Sequence, residues 1–100
     1  MMVEKNWVTK KDFPVKLRYL WLDFERIINY YLGDDSIHGV YLRTQNGEEV
    51  ELKGGKINLL RPEGIVIEVY FSSNWRGIYK ILKADMNTLE IEYTEQIQRM

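Results

Sequence analysis

Residues 12–33 read DFPVKLRYLWLDFERIINYYLG, and the period found in this stretch decides the fold. Leu17, Leu20, Trp21, Phe24, Ile27, Ile28 and Tyr31 recur at steps of three and four. That spacing lines one face of an α-helix and predicts that the face packs on a core. Asp12 suits an N-cap, and Pro14 suits the first turn, where its missing N–H costs nothing. Gly33 supplies a residue that can turn left-handed and end the helix. The helix is therefore expected over 13–32. Residues 1–12 form an N-terminal arm, in which Asn6–Thr9 can add a short strand.

After Gly33 the period switches to two. Residues 37–44 read as a strand with His38, Val40 and Leu42 on one face. Asn46-Gly47 is a strong hairpin signal, because a type I′ turn needs positive φ at both central positions. Residues 49–53 return, Gly54-Gly55 turns again, and 56–60 suggest a further short strand. Ile65, Ile67, Val69 and Phe71 alternate with Val66, Glu68 and Tyr70 in the most apolar strand. Residues 72–76 read as a turn, 77–84 as a strand and 85–87 as another turn. Residues 88–95 are cleanly two-faced, with Leu89, Ile91 and Tyr93 inward. Residues 96–100 are expected to fray or to pair at an edge.

Short turns between successive strands imply antiparallel neighbours. The expected fold is α+β: one N-terminal amphipathic helix packed on a five-stranded antiparallel meander spanning 37–95. That meander is either a curved open sheet or a small SH3- or Sm-like barrel. One hundred residues with 45% hydrophobic content make one domain, 1–100.

Composition then narrows the function classes. Net charge is −1, without the basic surplus that phosphate neutralisation requires of most nucleic-acid binders. There is no cysteine, which excludes disulfides, thiolate nucleophiles and cysteine-ligated zinc. No apolar run approaches the roughly 20 residues that span a bilayer, and the N-terminus lacks a signal peptide's apolar stretch. The expected setting is the cytoplasm, with no membrane partner and no cofactor.

Catalytic constellations are thin. Asp34, Asp35 and His38 lie within five residues, a spacing compatible with a cation or an acid–base pair. Gly-Asp-Asp-Ser is equally an ordinary turn after a helix. Ser36, Ser72 and Ser73 lack a nucleophile elbow. The pairs Glu49/Glu51 and Glu90/Glu92 sit on the polar faces of amphipathic strands. Gly54-Gly55 lacks the spacing of a phosphate-binding loop.

Two features point to association instead. The helix as drawn carries a second stripe, Val15, Tyr19, Leu22 and Tyr30 with Arg26 among them, on the side away from the core. Contiguous apolar residues of this kind mark contact sites, unless the arm folds back over them through Val3 and Trp7. The stretch Trp75-Arg76-Gly77-Ile78-Tyr79-Lys80 gathers residue types that dominate protein–protein hot spots, unless Trp75 simply covers the end of the core and Arg76 is solvated. The expectation is a small non-catalytic interaction protein, self-associating, of the accessory or inhibitor type that short phage and mobile-element reading frames encode. The partner-binding residues would be Val15, Tyr19, Leu22, Arg26, Tyr30, Trp75, Arg76 and Tyr79. The alternative is a nucleic-acid-binding barrel using Trp75, Arg76, Tyr79 and Lys80 with Lys5, Lys10, Lys11, Lys16 and Arg18.

Overall fold

The computed structural model describes residues 6–10, 14–53, 57, 59 and 61–99. One helix and seven strands follow in the order β1 (Asn6–Thr9), β2 (Val15–Leu20), α1 (Trp21–Leu32), β3 (Gly39–Arg43), β4 (Glu49–Leu52), β5 (Val66–Ser72), β6 (Trp75–Ala84) and β7 (Thr88–Arg99). The class is α+β with one antiparallel sheet, as expected. The sheet has seven strands rather than five, and it is open, so the barrel alternative does not hold.

The helix is the main correction. It occupies Trp21–Leu32, not 13–32, and Val15–Leu20 is a strand paired along β7 from Val15↔Tyr93 to Leu20↔Thr88. The two periods overlap in this stretch. Val15, Leu17 and Tyr19 alternate with Lys16 and Arg18, which is a strand pattern written across a helical one. Pairing decides between them: Lys16 falls opposite Glu92, and Arg18 Nη2 lies 2.7 Å from Glu90 Oε1. Asp12, the expected N-cap, lies outside the described residues. The N-cap is Leu20, extended and without a side-chain cap. A tertiary bond serves there instead, with Trp21 N–H donating to Asn87 O at 3.0 Å and Trp21 Nε1–H to Thr88 O at 2.9 Å. Gly33 does end the helix, but at φ −90° rather than left-handed, its N–H bonded to Asn29 O.

The strand order is β1-β7-β6-β5-β3-β4, with β2 also on β7. β7 is long enough to hold β2 against residues 88–93 and β1 against 96–99 on one side, and β6 on the other. The tail, expected to fray or to pair at an edge, is thus paired with β1 through Arg99. β5, β6 and β7 form a meander. β3 and β4 form a hairpin whose β3 side faces β5, so the chain leaves the edge at β4 and returns past β3. The hairpin falls where Asn46-Gly47 predicts it, but only Gly47 has positive φ (+80°). Thr44 O accepts from Gly47 N–H and Thr44 N–H donates to Glu48 O, so the turn is not type I′.

The Gly54-Gly55 turn lies outside the described residues, as do Lys56, Asn58 and Leu60 of the expected strand over 56–60. Ile57 and Leu59 are described: they lie in no strand and are buried in the core. Ile57 N–H donates to Asn29 Oδ1 at 2.9 Å, which ties the returning segment to the helix.

Alternation places Val40, Ile67, Val69, Tyr79, Ile81, Leu89 and Ile91 on one face of the sheet, where Phe24 and Ile28 of α1 cover them. The turn between β5 and β6 shrinks to Ser73 and Asn74, so Trp75 and Arg76 begin a strand rather than end a turn. A register shift between Ile81 and Lys83 breaks the alternation and leaves Leu82 exposed.

Candidate interaction surfaces

No described element covers the sheet face opposite α1. Registers place Tyr70, Arg76 and Gln96 in one row across β5, β6 and β7, with Glu68 and Tyr41 in the row beside it. Glu68 is the one carboxylate in the apolar run of β5, and it is only 3% exposed. A buried carboxylate needs compensating donors. Arg76 Nη1 lies 3.1 Å from Glu68 Oε2, and Arg43 Nη2 lies 3.1 Å from Oε1. Tyr70 Oη donates to Glu68 Oε2 at 3.2 Å and accepts from Arg76 Nη1 at 3.0 Å. Removal from water pushes the Tyr70 hydroxyl above its ordinary value, against the hydrogen bond from Arg76.

The guanidinium of Arg76 is held on every side. Its Nε and Nη2 donate to Gln96 Oε1 at 3.1 and 2.7 Å, and the Trp7 ring centroid lies 3.9 Å from its Cζ. Trp7 meets Tyr70 edge-on at 5.9 Å, and Tyr70 meets Tyr41 at 5.2 Å. The outer face thus presents an ordered strip of three aromatic rings and an arginine. Trp7 lies on the face opposite the helix, so at this residue the arm does not fold over the helix back.

The predicted partner residues fall into separate places. Val15 and Tyr19 leave the helix with β2. Tyr19 turns inward, 5.7 Å from Phe24, and burial raises its hydroxyl pKa. Leu22, Arg26 and Tyr30 stay on the helix back, with Leu22 68% and Tyr30 71% exposed and Arg26 3.7 Å from Asp23. Trp75 and Arg76, adjacent on β6, point to opposite faces. Trp75 packs 4.8 Å from Phe71 with Lys10 Nζ 4.2 Å from its ring, while Arg76 joins the outer strip. Tyr79 is core, and Lys80 is exposed on the outer face. The expected eight-residue set is therefore not one surface.

Asp34 caps its own turn, its Oδ1 accepting from Ser36 N–H at 2.9 Å and Ser36 Oγ–H at 2.7 Å, and these bonds hold its carboxyl below the ordinary range. His38 is exposed beside it, its backbone N–H donating to Tyr70 O. Among the described residues no three His, Asp or Glu side chains gather as a cation site. Among them, too, no helix is long and apolar enough to cross a membrane.

The roles of Trp7, Glu68, Arg43 and Gln96 go unread in the sequence. One signal for them existed. A lone carboxylate inside Ile65–Phe71 demands cations from the flanking strands, but the register that supplies them is set by turns and a bulge.

The two ends of the sheet also differ. At one end β2 carries Lys16 and Arg18 on its outer face and Val15 and Leu17 on its helix side. At the other end β4 carries Glu49 and Glu51 on the outer face and Val50 and Leu52 on the helix side. Compared with known family models, with curated proteins and with solved structures, the chain matches none.

Proposed function

We propose that this chain is a non-catalytic protein-interaction protein that associates with itself. One observation carries the reading: among the described residues, the strands at both ends of the sheet, β2 with β1 at one end and β4 at the other, have no neighbour on their outer sides. An unpaired edge offers a row of backbone donors and acceptors to another chain. An accessory or inhibitory role, exerted by occupying another protein's surface, would use the outer strip of Trp7, Tyr41, Tyr70 and Arg76. Aromatic residues and arginine anchor most protein contacts.

Mass in solution, measured by light scattering over a concentration series, tests this reading. The expected result is a mass above the 12.0 kDa of one chain that rises with concentration. A single-chain mass throughout overturns it. Binding to a single-stranded oligonucleotide that weakens steeply with salt would replace it with the nucleic-acid alternative.

A further inference from the structure

We infer that the occupant of each open edge is the opposite edge of a second copy, β2 of one chain pairing antiparallel with β4 of the next. This rests on the self-association reading and names its geometry. Five antiparallel steps separate β2 from β4 through β7, β6, β5 and β3, so the two edge strands of one molecule run in opposite directions. A second copy that continues the sheet, helix on the same side, therefore brings its β4 antiparallel to β2 with no change of facing.

The backbone groups match as well. In an antiparallel ladder, pairs that exchange hydrogen bonds alternate with pairs that do not. Trp21 N–H donates to Asn87 O, so stepping by two makes Tyr19, Leu17 and Val15 the residues bonded toward β7. Lys16 and Arg18 then point their N–H and C=O outward. Thr44 N–H donates to Glu48 O, so Leu42↔Val50 and Val40↔Leu52 are the bonded pairs of the hairpin, and Glu49 and Glu51 point outward. The outward sets of both edges thus carry side chains on the same, outer face, as a continuous sheet requires.

One register then pairs every position. Lys16 meets Glu51 and Arg18 meets Glu49 on the outer face. Leu17 meets Val50 and Val15 meets Leu52 on the helix side. Val50, 49% exposed on the single chain, gains a cover. The intramolecular pairs Arg18–Glu90 and Arg43–Glu49 become parts of rows that run from one copy into the next.

The like-with-like contacts fail on charge. β2 against β2 sets Lys16 opposite Arg18, and β4 against β4 sets Glu49 opposite Glu51, both destabilising. Because the favoured contact joins different edges, each added copy leaves one edge of each kind free, and assembly is not limited to two chains.

Charge reversal tests the pairing. Lys16→Glu with Arg18→Glu should weaken self-association roughly tenfold or more, as should Glu49→Lys with Glu51→Lys, because two attractive cross-strand pairs turn repulsive. An equal mixture of the two variants should regain the wild-type mass. Glu51→Pro provides a variant that keeps the charges of β2: it removes one outward N–H, spares the β3–β4 bonds, and should also lower the mass. Circular dichroism confirms that each variant is folded, and should a reversal fail to fold, Glu51→Pro decides. A wild type that is a single chain at all concentrations overturns both this inference and the reading beneath it. A wild type that associates while folded variants keep its mass, or a mixture that does not recover, overturns the edge pairing alone.

Discussion

The guanidinium of Arg76 lies 3.9 Å from the centre of the Trp7 ring, which fastens the first strand to the middle of the sheet. β1 is four residues long and, among the described residues, pairs only with β7, so the contacts of Trp7 with Arg76 and Tyr70 are what tie its side chains to the sheet. Trp7→Ala should cost about 1–2 kcal/mol, the range for a partly desolvated cation–π pair. Amide hydrogen exchange should quicken at Asn6–Thr9 well before it quickens in β5 and β6. Uniform quickening across the sheet would show that Trp7 supports the whole fold instead.

The same arginine makes the Glu68 carboxylate tolerable. Glu68→Ala should cost about 1–3 kcal/mol, since it takes the carboxylate from Arg76, 15% exposed, and leaves it the neutral acceptors of Gln96 and Tyr70, while Arg43 keeps Glu49. Arg76→Met together with Glu68→Ala should cost less than the two single changes summed. Urea denaturation of the four proteins measures the coupling, and strict additivity would mean that the contact contributes nothing.

Burial lifts the hydroxyls of Tyr79 and Tyr93 far above the ordinary tyrosine value near 10, with hydrogen bonds to Tyr31 and Glu95 adding to the shift. A raised folded pKa gives stability that is present below pH 10 and lost as pH climbs past it, because the unfolded chain releases protons that the folded chain retains. Two of the seven tyrosines should therefore ionise only with unfolding when absorbance is followed near 295 nm. Tyr79→Phe should flatten the alkaline fall in stability.

The Arg18 hydrogen bond holds the Glu90 carboxyl below its ordinary value near 4.5. A depressed folded pKa contributes at neutral pH and is lost as pH falls through it. Arg18→Gln should return the Glu90 titration, read by carbon NMR, to the ordinary range and remove this contribution to acid resistance. An unmoved titration would mean that the pair does not persist in solution.

A Cβ added at Gly77 would meet Phe71 Cε2 and Tyr93 Oη, both at 2.9 Å. Gly77→Ala should cost about 1–3 kcal/mol through displaced rings. Thermal unfolding measures it, and an unchanged midpoint would show that the rings yield freely.

Most strand segments from Ile37 onward were legible, because alternation and turn residues agree there; the short strand expected over 56–60 is the exception, since Ile57 and Leu59 are buried but lie in no strand. Val15–Leu20 was misread, because Leu17, Leu20 and Trp21 satisfy a helical period while Val15, Leu17 and Tyr19 satisfy an extended one. Only β7, seventy residues later, decides between them. The outer strip was half visible in Arg76 and hidden in Trp7, Glu68 and Gln96. Each looks ordinary alone, and register alone brings them together. Edge complementarity was equally out of reach, since Glu49/Glu51 read as charges on a polar strand face and Lys16/Arg18 as part of a basic set until the strand order puts them at opposite ends.

That β7 serves as the dock for β1, β2 and β6 has a consequence for synthesis. As the chain leaves the ribosome, β1 and β2 emerge well before β7 and find their partner only when Thr88–Arg99 has followed them out of the exit tunnel. Until then the hairpin of β3 and β4 and the pair of β5 and β6 can form, while Leu17, Tyr19 and Phe24 stay uncovered. The nascent chain therefore carries β1 and β2 open to chaperones for as long as the intervening residues take to be made, and its sheet is completed only once β7 is free to pair.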